Sequence, residues 1–192
     1  QGSVVGDRFV THPLVRKVCF TGSTTVGKQI MAGAADQVKR VTLELGGKSA
    51  NIIFDDADLE QAAASAQGSV FDNAGQDCCA RSRILVQRSV YDRFLTLLEP
   101  AVRGFRVRAP GDPQAEMGPL ITAGQLASVA AYVEGTDVAF TGVVPGSDVL
   151  TGGFWYPPTV VLPASPADRI WREEVFGPVV AVLPFEDEAD AI

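Results

Sequence analysis

Histidine is nearly missing from this chain: His12 is the only one in 192 residues. A histidine-based metal cluster is thereby excluded. Cysteine is almost as scarce, with Cys19, Cys78 and Cys79 alone. Three is odd, and adjacent cysteines rarely bond each other, so a secreted disulfide framework is not expected. Free thiols in a reducing, cytoplasmic setting are expected instead. Cys78 and Cys79 also lack the spacing of ordinary metal ligands, so no metal is expected. Basic charge is short as well. Against 23 Asp and Glu stand 16 Lys and Arg, a net charge of −7, and no Lys/Arg block stands out. That argues against a nucleic-acid partner. No apolar run approaches the roughly 20 residues that span a bilayer, so no membrane partner is expected. The start, Gln1-Gly-Ser-Val-Val-Gly-Asp7, has no basic region followed by an apolar one, so no signal peptide is read there. No internal repeat or low-complexity tract occurs.

Hydrophobic residues make up 46% and charged residues 20% of the chain, a balance that suits a folded core rather than disorder. The chain does not begin with Met and ends in Glu186-Asp-Glu-Ala-Asp-Ala-Ile192, which reads as the first turn of a helix. A piece of a longer protein is expected.

Strand and helix patterns alternate. Val18 to Phe20 reads as a short buried strand entering a Gly/Ser/Thr turn, followed by a helix over Gln29 to Val38. Val41 to Leu45 alternates as a strand, and Ala50 to Phe54 is another. Asp58 is placed to cap a helix, with Gln61 as its capping-box partner. Leu59, Ala62, Ala63, Ala66 and Val70 recur there at helical spacing, and the helix should end near Asn73-Ala-Gly75. Arg83 to Gln87 is a strand. Ser89 is read as the cap of a helix with core stripe Tyr91, Phe94, Leu95, Leu98 and Val102. Gln125 to Val133 is a helix, and Val138 to Phe140 and Val179 to Leu183 are strands. Gly142 to Pro158, rich in Gly and Pro, reads as loop. This alternation predicts an α/β fold with a mainly parallel sheet.

Four segments carry chemistry. In Asn73-Ala-Gly-Gln-Asp-Cys-Cys79, a thiol follows a Gly/Gln turn. Thiolates attack carbonyl carbon, but composition alone favours inert core cysteines. In Leu43-Glu-Leu-Gly-Gly-Lys48, Glu44 is a candidate general base, against the usual fate of a solvated carboxylate. Gly46 and Gly47 would let backbone approach a flat ring. Phe20-Thr-Gly-Ser-Thr-Thr-Val-Gly27 follows a strand and opens a helix, a setting that suits a pyrophosphate. Taken alone, Ser23 there is a plain helix cap. In Glu173-Glu-Val-Phe-Gly-Pro178, a carboxylate and a ring suit a ribose and a flat base, against a charged loop with a core Phe.

In this order and at these spacings, the four segments resemble the NAD(P)-dependent aldehyde dehydrogenase superfamily, from about Gly2 to the C-terminus. The resemblance implies a Rossmann-related, aldehyde-dehydrogenase-like fold, incomplete here. Residues 1–46 would be the end of the cofactor domain and 47–192 a truncated catalytic domain. It assigns Cys78 as nucleophile, with Cys79 beside it, and Glu44 as the base that activates the hydrolytic water. It places Ser23 at the pyrophosphate and Thr21 and Gly22 near nicotinamide, with Gly27, Leu45 and Gly46 also on the cofactor. Glu174 would hold the nicotinamide ribose and Phe176 the ring. The cofactor is NAD or NADP, the substrate an aldehyde, and the assembly a homodimer or homotetramer. Gly2 to Gly6 is read as the end of a loop before an earlier helix. Asp77 is the unusual residue. A nearby anion should raise the Cys78 pKa, whereas a side chain turned toward substrate would attract a cationic amino-aldehyde such as 4-aminobutyraldehyde.

Two rival readings remain. Gly22-x-x-x-x-Gly27-Lys28 is nearly a phosphate-binding loop of a nucleotide phosphohydrolase, and Asn51 to Asp56 resembles its acidic strand. It has Gln29 where Ser or Thr should reach Mg²⁺, and it leaves Cys78 and Glu174 unexplained. A non-catalytic structural relative of the family is the other. The family's oxyanion Asn and adenosine-ribose residues should lie upstream, so the isolated chain is expected to be inactive. Thr136 to Gly142, within the stretch from Gly135 to Val149, looks shortened against typical members.

Overall fold

The computed structural model describes residues 2–146 and 152–192, and these divide into two compact units, 1–47 and 48–192. Residues 147–151, within the segments read as loop and as shortened, lie outside the described residues.

The first unit runs α1 (Gly2–Thr11), β1 (Lys17–Gly22), α2 (Thr24–Ala35), β2 (Arg40–Leu45). β1 and β2 pair in parallel, with Thr21 opposite Glu44 and Gly22 opposite Leu45. Three expectations are corrected here. Gly2 to Gly6 is helical, not loop; its two glycines masked a helix that carries Val10 to the buried side. Val18 to Phe20 forms a strand, but it alternates between half-buried and exposed and is not buried. The second helix begins at Thr24, well before Gln29, because Ser23 caps it by accepting from the Val26 amide at 3.3 Å. Gly27 sits within that helix because a Cβ there would lie 2.6 Å from the Leu45 side chain. Lys39 donates to the carbonyls of Phe9 and His12 at 3.3 and 2.5 Å and so closes the C-terminal end of α1.

The second unit holds β3 (Ala50–Ile53), α3 (Leu59–Phe71), β4 (Arg83–Gln87), α4 (Tyr91–Arg103), α5 (Ala123–Val133), β5 (Asp137–Thr141), β6 (Thr159–Leu162), α6 (Arg169–Arg172), β7 (Val179–Phe185) and α7 (Glu188–Ala191). The sheet order is β3-β4-β7-β6-β5, parallel except for the antiparallel β5–β6 pair. The α/β, mainly parallel expectation holds. β7 lies at the centre, and its Val179-Val-Ala-Val182 run is buried throughout, as a strand covered on both faces requires.

Asp58 caps α3 as expected, accepting from the Gln61 amide at 3.0 Å. Leu59, Ala63, Ala66 and Val70 form its buried stripe. Phe94, Leu98 and Val102 do the same for α4, with Tyr91 and Leu95 partly buried beside them. Ser89 is corrected: it lies in a short 3₁₀ turn, and α4 starts after Val90 without a side-chain cap. The Ser89 hydroxyl instead donates to Asp55 at 3.3 Å. β6 was hidden in sequence because Pro157, Pro158 and Pro163 bracket only four strand residues.

Candidate active site

The thiol segment is shaped by backbone. After α3, a 3₁₀ turn over Asp72–Gly75 places Asn73 (φ 52°), Ala74 (φ 57°) and Gly75 (φ 67°) consecutively in the left-handed region. For Ala such a conformation costs roughly 1–2 kcal/mol, so the surroundings must enforce it. Gly75 shows how. A Cβ there would lie 2.1 Å from the Gly177 carbonyl oxygen, so only glycine lets the thiol loop press on the Glu-Val-Phe-Gly-Pro loop. Phe176 in that second loop is itself left-handed, with φ 53°. Strained residues therefore occupy both loops at their contact.

Two glutamines hold these loops. Gln76 accepts from the Ile121 amide at 2.9 Å and donates to the Asn73 carbonyl at 3.0 Å. Asn73 returns a bond to the Gln76 carbonyl at 3.0 Å. Gln125, on α5, donates to the Val175 and Phe176 carbonyls at 3.2 and 2.8 Å. Gln76 was part of the motif, but its reach to Ile121 had no signal in sequence, and neither did Gln125.

Cys78 is half-buried and Cys79 exposed, both free thiols, with their sulfurs 3.9 Å apart. Neither is a buried core cysteine, the alternative that composition alone favours. The Cys78 thiol is pushed above its ordinary pKa, first by contact with Cys79, with burial and the Asp77 carboxylate adding in the same direction. Asp77 accepts from the Cys79 amide at 2.9 Å, and its carbonyl accepts from Ala80 at 3.1 Å, so it shapes the turn that carries both thiols. A shallow cavity of about 220 Å³ is lined by Asp72, Asp77, Cys79 and Arg81 among others. Side chains that lack metal-ligand spacing in sequence nonetheless come close in space. One ligand atom each from Asp77, Cys78 and Cys79 lie within 4.8 Å of one another.

Of the paired acids, Glu173 is committed to structure. It accepts from Arg169 at 2.9 Å and Tyr132 at 2.8 Å, and the Arg169 bond leads in holding its carboxyl below the usual range. Glu174, like Glu173, also acts on Lys48, whose pKa is lowered to about 8. Burial is the main cause and Arg83 adds to it, while Glu174 and Glu173 oppose the shift. Phe176 presents a ring that is 40% exposed.

In the first unit, Thr21, Gly22 and Ser23 lie at the end of β1 and the start of α2, across the strand pair from exposed Glu44 and half-buried Leu45. Gly46 follows, exposed. The first turn of α2 carries no acidic residue, so the positive end of its dipole is left unopposed. These residues fit a dinucleotide pyrophosphate, and the exposed Phe176 ring in the second unit fits a flat base. Glu44 belongs to the first unit and Cys78 to the second.

A sequence profile of the aldehyde dehydrogenase family matches residues 1–192. Betaine aldehyde dehydrogenases from strains of Brucella ovis and Brucella abortus are 42% identical to the chain over 193 residues, 98% of this chain and 40% of theirs. A crystal structure of betaine aldehyde dehydrogenase from Staphylococcus aureus in complex with NAD+ superposes with a TM-score of 0.93 at 43% identity, covering 100% of this chain and 39% of that one. An aldehyde dehydrogenase from Bacillus cereus gives a TM-score of 0.91 at 40% identity, with 100% and 39% covered. The chain spans about 40% of the length of the curated relatives that it matches. With the profile match running its full length, the chain belongs to the aldehyde dehydrogenase family.

Proposed function

We propose that the protein carrying this chain oxidises an aldehyde to a carboxylic acid, with NAD or NADP as the electron acceptor. The carrying observation is the strained Asn73–Gly75 turn that presents Cys78 while pressed on the Gly177 loop. The Cys78 thiolate would attack the carbonyl carbon and form a thiohemiacetal. Nicotinamide, when bound, supplies the acceptor for the hydride that leaves this carbon, and a thioester on Cys78 remains. Glu44 would take a proton from water as that water attacks the thioester, releasing the acid and the thiolate. Ser23 and Gly27 would hold the pyrophosphate, Thr21, Gly22, Leu45 and Gly46 would line the nicotinamide end, and Glu174 and Phe176 would orient ribose and ring.

The substrate in this reading is a cationic aldehyde. Relatives at 42% identity are named betaine aldehyde dehydrogenases, and the exposed Asp77 carboxylate stands beside the nucleophile. Residues 1–46 would belong to a cofactor domain and 47–192 to a catalytic domain. The whole protein would be a cytoplasmic homodimer or homotetramer. Among the described residues, no helix is long and apolar enough to cross a membrane.

The test is NADH or NADPH formation by the full-length protein. Cys78→Ser should abolish it. Glu44→Gln should give one burst of reduced cofactor and then stall, because the thioester persists. Steady turnover by Cys78→Ser would sink the mechanism. Asp77→Asn should lower the rate on a cationic aldehyde relative to a neutral one, and an unchanged ratio would remove Asp77 from substrate choice. The 192-residue chain by itself should show almost no turnover, because losing an oxyanion donor alone costs about 10²–10³ in rate.

A further inference from the structure

We propose that Asp77, Cys78 and Cys79 form a binding site for a soft divalent cation, zinc or cadmium, that caps the Cys78 sulfur reversibly. The site needs only the turn in the second unit, not aldehyde oxidation. Ligand atoms of the three residues lie within 4.8 Å of one another, and this is the only such group of three among the described residues. The separation of the two sulfurs is the decisive number. With zinc–sulfur bonds of about 2.3 Å at a tetrahedral angle, two thiolates on one ion sit about 3.8 Å apart. The Cys78 and Cys79 sulfurs are 3.9 Å apart, so one ion can bridge them with almost no movement.

Sequence spacing argued against this, because adjacent cysteines ordinarily point apart along an extended chain. Here the turn from Asp77 to Ala80 folds both thiols to one side. The same turn sets the third ligand. One oxygen of Asp77 accepts from the Cys79 amide at 2.9 Å, which orients the carboxylate and leaves its second oxygen for the ion. On binding, the two thiols give up their protons to solvent, and the divalent cation offsets the two thiolate charges formed beside the Asp77 carboxylate. Thiolates select soft metals over magnesium or calcium. Entry is open, since Asp77 and Cys79 are exposed and line the cavity of about 220 Å³. Arg81 lines that cavity too, and Asp72 stands there as a balancing charge. Three protein ligands leave a fourth tetrahedral position for water. A bound ion would occupy the lone pairs with which Cys78 attacks carbon, so occupancy and nucleophilicity exclude each other.

The experiment titrates the protein with Cd²⁺ or Zn²⁺. It reads the ultraviolet cadmium–thiolate band together with site-resolved alkylation by mass spectrometry. Near one equivalent, Cys78 and Cys79 should be protected in parallel while Cys19, in the first unit, stays reactive, and EDTA should restore labelling. Cys79→Ser should raise the metal concentration that half-protects Cys78 by about tenfold or more, since even supporting partners of a metal are worth that much. Asp77→Asn should raise it less. Protection of Cys78 no better than that of Cys19 would overturn the site. So would a half-protecting concentration unmoved in both variants.

Discussion

At the scale of single residues, Cys78 is governed by its immediate neighbours. Contact with Cys79 leads in raising its pKa, and Asp77 adds to the same direction. Cys79→Ala should therefore move the pH profile of Cys78 alkylation, measured with EDTA present, to lower pH and speed labelling near neutrality. Gln76 offers the opposite control. Replacing its amide nitrogen by oxygen in Gln76→Glu sets an acceptor against the Asn73 carbonyl and adds a charge two residues from the thiol. That profile should shift to higher pH. Gln76→Leu adds no charge but loses the bonds to Ile121 and Asn73. Urea unfolding should show a loss of about 1 kcal/mol. A Cys78 profile that moves in the same direction in Cys79→Ala and Gln76→Glu would show that local charge does not set the thiol.

At the scale of elements, the thiol turn depends on how closely two loops approach. Gly75→Ala would push a methyl group to 2.1 Å from the Gly177 carbonyl in a left-handed conformation. Its cost should exceed 1–2 kcal/mol, roughly the price of the backbone conformation alone. Gly68, inside α3 with nothing within 4 Å of an added Cβ, is the contrast. Gly68→Ala should stabilise by about 0.5–1 kcal/mol, through helix propensity. Denaturant midpoints of the two variants should lie on opposite sides of the parent. The elements themselves were legible where periodicity and caps agreed, as for α3 behind Asp58, β4, and the α4 stripe of Phe94, Leu98 and Val102. They were illegible where a local signal misled. Two glycines hid α1, prolines hid β6, and Ser89 looked like a cap while its hydroxyl binds Asp55.

At the scale of the whole molecule, Lys48 ties the second unit's stability to pH. Burial lowers its pKa from 10.5 to about 8 in the folded protein. Between those values the unfolded chain binds more protons than the folded one, so this group makes stability rise with pH across that window. Below about 8 the lysine is charged in both states, and the contribution no longer varies. Lys48→Met should remove the rise. Chemical unfolding at pH values across the window should show the parent gaining on the variant as pH increases. A constant difference would mean that Lys48 keeps an ordinary pKa in the folded state.

The family and the α/β class could be read from order and spacing along the chain. Thiol, acid, glycine pairs and turn residues stand at intervals that survive without coordinates, and alternating apolar periods specify strands and helices one at a time. Other features are contacts between residues far apart in number. The Gly75–Gly177 approach spans about a hundred residues, as does the sheet order that sets β7 between β4 and β6. The bond from Ile121 to Gln76 belongs to the same class. Even the neighbours Cys78 and Cys79 needed the fold. Their separation in space depends on the turn made by Asp77, which spacing in the chain does not encode.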